Sequence, residues 1–214
     1  MITRPKFRLS MFLAVLLVGL PASAYDDPLT STSIRDAYML GNRKDFKTAE
    51  FFTRYNHFLP APGTGPHVAA ISVETPYGQV VELGEAALNT DIQGVEEKWA
   101  GKPFPFIVRA GVDLTDTYPG PPPWNPRAPG LPLPNFERDF EIQLIQDHKK
   151  IPARSSQVYL LYSNAVANTY QISGAIIELR YDTDSIDPYD EATITVHTPD
   201  DQHVETSFDL GDLR

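Results

Sequence analysis

Glu191-Ala192-Thr193-Ile194-Thr195-Val196-His197, then Thr198-Pro199-Asp200-Asp201-Gln202, then His203-Val204-Glu205-Thr206-Ser207-Phe208 is the stretch that decides the fold class. In both outer runs every second residue is apolar or β-branched, the period of a half-buried strand rather than of a helix. The five residues between them place Pro199 where a type I turn takes it, so the stretch predicts an antiparallel hairpin. Upstream, Phe140 to Gln146 (FEIQLIQ), Val158 to Tyr162 (VYLLY) and Ile172 to Tyr181 (ISGAIIELRY) are further strand runs separated by polar turns. Strands of this length with no helical period between them predict a mainly β domain, an antiparallel two-layer β-sandwich.

Toward the N-terminus the pattern changes. Val68 to Glu74 (VAAISVE) and Gln79 to Leu83 (QVVEL) read as strands on either side of Thr75-Pro76. Phe104 to Leu114 (FPFIVRAGVDL) reads as a strand that Pro103 and Pro105 assign to a sheet edge. Thr90 with Gln93 matches a capping box, and Ile92, Val95 and Trp99 share a helical face before Gly101, which predicts one short inserted helix. Further upstream, Ser33 is placed to cap a helix carrying Ile34, Ala37 and Tyr38 and ending at Gly41. A second helix, capped by Asn42, carries Phe46, Ala49, Phe52, Tyr55 and Leu59 on one face until Pro60 stops it. The expected organisation is a leader at 1–24, an N-terminal helical segment at 25–66 and a sandwich at 67–214.

The leader rests on its own pattern. Arg4, Lys6 and Arg8 precede the apolar run Met11 to Leu20, and Pro21-Ala22-Ser23-Ala24 ends in the small-x-small pattern of a signal-peptidase site. The run covers about half of the roughly 20 residues a membrane-spanning helix needs, so a cleaved leader and no stable membrane insertion afterwards are expected. A periplasmic or extracellular location follows. The chain carries a formal charge of −10, and cleavage removes three further basic residues, a balance that argues against nucleic acid as a partner. It contains no cysteine, so neither a disulfide nor a thiol nucleophile is available.

Between Tyr118 and Pro134 eight prolines alternate with glycines and Trp124, a density that excludes a helix or an inner strand. This proline-rich loop either presents Trp124 to a ligand or packs over its own domain through Trp124 and Leu131. The five histidines form no His-x-x-x-His pair, and no Gly-x-Ser-x-Gly elbow occurs. His197 and His203 flank the hairpin turn. Glu74, Glu82, Asp113 and Asp116 lie near strand ends, where carboxylate pairs of a hydrolase would leave no linear motif.

Asp182-Thr183-Asp184-Ser185-Ile186-Asp187-Pro188-Tyr189-Asp190-Glu191 gathers carboxylates between two strands. Asp182, Asp184 and Asp190 resemble the third calcium loop of C2 domains, which are themselves β-sandwiches. That resemblance, confined to one loop, implies a calcium site at those three residues, within a sandwich that is Ig-like or C2-like; the other reading is a solvated acidic turn. Ser33 to Arg43, Thr75-Pro76-Tyr77, Thr198-Pro199-Asp200 and Phe208-Asp209-Leu210 resemble uncharacterised exported bacterial proteins, which implies an envelope or extracellular setting and carries no site residue with it. The functional expectation is an exported, non-catalytic sandwich that binds an envelope protein or a glycan. The alternatives are a secreted hydrolase with dispersed carboxylates and a calcium-stabilised module.

Overall fold

The computed structural model describes residues 27–87, 91–119, 136–166 and 169–214. The leader, Thr90, and residues 120–134 of the proline-rich loop, Trp124 among them, lie outside the described residues.

The protein is mainly β, with two antiparallel sheets stacked as a sandwich. One sheet has five strands in the order β1 (Asn56–Phe58), β2 (His67–Glu74), β3 (Pro105–Asp113), β7 (Thr169–Asp182) and β6 (Ser155–Val166). The other has four, in the order β5 (Lys149–Ile151), β4 (Glu141–Gln146), β8 (Glu191–His197) and β9 (His203–Asp209). The alternation read from sequence sets which side chains meet between the sheets. Ile71 and Val73 of β2 and Phe106, Val108 and Ala110 of β3 pack against Leu144, Ile194 and Val196 of the opposite sheet, all of them buried.

The β8–β9 hairpin forms as expected, with His197 opposite His203 at the turn and Glu191 opposite Asp209 at the far end. Its turn is held by side chains. Thr198 Oγ1 accepts from the Gln202 N–H at 3.0 Å, and the Asp201 N–H donates to the Thr198 carbonyl at 3.1 Å. Asp201 takes φ +61°, a left-handed conformation that aspartate adopts more readily than most residues.

Four helices lie among the described residues: α1 (Ser31–Asn42), α2 (Phe46–Thr53), α3 (Pro76–Ala86) and α4 (Ile92–Trp99). Ile34, Ala37 and Tyr38 of α1, Val80 and Val81 of α3 and Val95 of α4 make a second buried cluster. Phe51 of α2 touches both clusters and stacks on Tyr55 at 4.7 Å, joining the helical layer to the sandwich. No helix among the described residues is long and apolar enough to cross a membrane.

Several local expectations are corrected. Gln79 to Leu83 lies within α3, because Thr75-Pro76, which ends β2 as expected, starts a helix instead of leading into a second strand. Thr75 Oγ1 accepts from the Gly78 N–H at 3.1 Å, and proline occupies the first turn, where its missing N–H costs nothing. Asp45, and not Asn42, caps α2 by accepting from the Lys47 N–H at 2.9 Å. That helix stops at Thr53, so Tyr55 and Leu59 both leave the proposed stripe, while Phe46 is 78% exposed. Thr30 caps α1 one turn earlier than Ser33, and Gly41 lies inside that helix. Asp91 caps α4, accepting from the Gln93 N–H at 3.1 Å. β3 is an interior strand between β2 and β7, not an edge; Pro105 is tolerated because it is the first residue of the strand.

Candidate ligand-binding site

Because β3 alternates, its apolar Phe106, Val108, Ala110 and Val112 turn inward and Arg109 turns to the outer face of the five-stranded sheet. Register places Ser72 of β2 and Glu178 of β7 directly beside Arg109, with Gln157 of β6 beyond Glu178. In the adjacent row, Glu74 lies opposite Ile107, and Arg180 pairs with Ile107 from the other side. The result is a polar strip running across four strands.

Its centre is a chain of charge-assisted hydrogen bonds. Arg109 Nε donates to Glu178 Oε2 at 2.8 Å, while Arg180 Nε donates to the other oxygen of the same carboxylate at 2.8 Å. Arg109 Nη1 donates to Glu74 Oε1 and lies 3.4 Å from Glu82 Oε2, which α3 brings over the face. Burial opposes ionisation of Glu178, but the hydrogen bonds from Arg109 and Arg180 outweigh it and hold the carboxyl below its ordinary range. Burial alone would make Arg109 easier to deprotonate; Glu74, Glu178 and Glu82 reverse that, so it stays charged.

Glu74 behaves differently. Burial first, and the neighbouring Glu82 carboxylate second, push its carboxyl up to about 8 against the pull of Arg109. Its Oε2 is buried and has no hydrogen-bond partner among the described residues. A proton retained at neutral pH is the state that avoids leaving a bare buried charge there.

Two clefts flank the chain. The larger, about 730 Å³, is bounded by Phe104, Arg154, Arg180, Asp182 and Asp184, a size within the usual range of small-molecule sites. The smaller, about 220 Å³, is bounded by Asn56, Ser72, Glu74, Glu82 and Arg109. Arg180 and Arg109 belong to different clefts yet share the buried Glu178, which ties the two guanidinium groups together across the sheet. On the neighbouring edge strand, Tyr159 pairs with Ile176, is 42% exposed and interacts through its side chain with Arg180.

The residues singled out from sequence fall in several places. Asp182 ends β7 and pairs with Arg154 at 3.0 Å, and Asp184 follows it in a short 3-10 turn on the wall of the larger cleft. Asp190 is not among the residues bounding that cleft; its N–H bonds the Asp187 carbonyl and its own carbonyl accepts from Leu210. Among the described residues no group of three or more His, Asp or Glu side chains gathers to hold a metal ion. Of the four hydrolase candidates, Glu74 and Glu82 meet at Arg109. Asp113 lies at the far end of β3 against His67 at 3.7 Å, and Asp116 is exposed in the turn that follows.

Arg109, Glu178, Arg180 and Tyr159 were not among the sequence candidates. A signal for the first three was present, since each interrupts an otherwise apolar strand run, and charges that neighbouring strands bury are stable only when they meet. No protein-family model and no curated protein matches this sequence.

Proposed function

We propose that this protein is an exported, non-catalytic β-sandwich that binds a neutral glycan along the outer face of its five-stranded sheet. The observation that carries the reading is the Arg180–Glu178–Arg109 chain, in which the buried Glu178 fixes two guanidinium groups that border separate clefts, beside the exposed carboxylates of Asp182 and Glu82. Sugar hydroxyls donate and accept at once, and they suit guanidinium and carboxylate groups already fixed in place by one another. Each arginine of the strip is already paired, Arg109 with Glu178 and Glu74, Arg180 with Glu178, Arg154 with Asp182. A strongly charged ligand would have to break those pairs; a neutral one does not. Tyr159 adds an exposed aromatic ring beside the strip, on which the apolar face of a pyranose can stack.

A panel of neutral and anionic oligosaccharides, read by calorimetry on the mature protein, tests this. Neutral glycans should bind, and Y159A should weaken binding by roughly tenfold or more, the scale of an aromatic anchor. A flat response to the whole panel, with an envelope-extract pull-down that does recover a protein, would replace the glycan with a protein partner. The proton kept by Glu74 beside Glu82 favours a second reading, a hydrolase with Glu74 as general acid. Cleavage of a panel glycan by the wild type but not by E74Q would put that reading first.

A further inference from the structure

We propose that His197 and His203 form a two-imidazole chelate for a divalent transition metal, copper(II) by preference, on the outer face of the four-stranded sheet. The pair is remote in kind from the polar strip, since it belongs to the opposite sheet and shares no residue with either cleft.

The placement follows from the hairpin. Ala192, Ile194 and Val196 of β8 turn into the core, so Thr193, Thr195 and His197 turn out, and the register sets His203 of β9 directly across from His197. Their ring centroids are 4.6 Å apart with the planes inclined at 51°, and both residues are exposed. Two imidazoles at that separation can offer one nitrogen each to a single ion without backbone movement. Movement is further limited by the turn, which Thr198 ties to Gln202, while Gln202 Nε2 donates to the Thr64 carbonyl at 3.0 Å. A rigid pair loses little on binding.

The surroundings suit a cation. Glu205, two residues along β9 and on the same face, places Oε2 at 3.3 Å from His203 Nε2. Glu141 of β4 is paired in register with His197 from the other side, though it is already held by Lys150 at 3.1 Å. A metal ion arriving between the rings displaces the proton at His203 Nε2 to solvent, and Glu205 then supplies negative potential beside it. With two nitrogen ligands and the remaining positions left to water, affinity follows the Irving–Williams order, which copper(II) leads; calcium and magnesium, which take oxygen ligands, are poor occupants.

Titrating the full mature chain with copper(II) at neutral pH, followed by electron paramagnetic resonance, decides the matter. One equivalent should show two equatorial imidazole nitrogens, while H197A and H203A should each show one and bind roughly tenfold or more weakly. E205Q should keep both nitrogens and bind more weakly than wild type, and H148A should be indistinguishable from wild type. Proton NMR of the unmodified protein gives an independent reading: sub-stoichiometric copper should broaden the ring signals of His197 and His203 before those of His57, His67 and His148. A two-nitrogen spectrum that survives in H203A, a one-nitrogen spectrum in the wild type, or broadening that begins at another histidine would overturn the proposal.

Discussion

Glu74 changes its state within the neutral pH range. In an unfolded chain its carboxyl titrates near 4.5, whereas in the fold it does so at about 8, so between those values the native state holds a proton that the unfolded chain has released. Its contribution to stability is therefore full below about 4.5 and is lost as pH rises toward 8. Denaturant unfolding at pH 5 and pH 9 should show the wild type losing on the order of 4 kcal/mol from this group across the interval, and E74Q, an uncharged isostere, losing much less. Parallel slopes for the two proteins would show that Glu74 is ionised throughout. Glu74 was legible as a strand-end carboxylate, whereas Glu82 lies on α3 instead of a strand, and their meeting was hidden because it depends on that helix folding back over a sheet whose order the sequence does not display. Arg109 escaped notice for a related reason: one charge in an apolar run is ambiguous until the strand beside it is known to carry Glu178.

Among the elements, the hairpin and the long strands of the last third were legible because one face of each is buried and the other is wet, which imposes a period of two. α3 was not. Its Val80-Val81 pair, β-branched and following Gly78, has the composition of a strand, and only the burial of Tyr77, Val80, Val81 and Gly84 reveals the helical spacing. What the burial is against explains the glycines. A Cβ on Gly41 of α1 would sit 1.9 Å from the Val81 carbonyl oxygen, and one on Gly84 would sit 2.4 Å from that of Tyr38, so the two helices touch backbone to backbone. G41A should lower stability by about 2 kcal/mol although alanine favours helix by about 1 kcal/mol. G94A, at an exposed α4 position whose new Cβ meets nothing within 4 Å, should raise it by roughly 0.5–1 kcal/mol. Thermal melts of the two variants must therefore move in opposite directions; a stabilised G41A would mean that α1 and α3 are free to separate.

For the molecule as a whole, the two clusters of buried residues joined through Phe51 predict that helices and sandwich melt together, in one transition. Calcium should leave that transition where it is, since Asp182 is held by Arg154 and Asp190 stands away from the cleft that Asp182 and Asp184 border. A melting temperature that rises between chelator and millimolar calcium would instead restore the acidic loop as an ion site, because only a ligand favouring the folded state can produce it. The ladder at the middle of the larger sheet has a bearing on timing. β3 and β7 are neighbours in space, yet Arg109 and Glu178 are 69 positions apart along the chain. A ribosome would have delivered most of the polypeptide before that seam had both its sides, and closing so wide a loop is slow. One side of β3 must consequently stay bare and wet until the second half arrives, even where β2 already covers the other side.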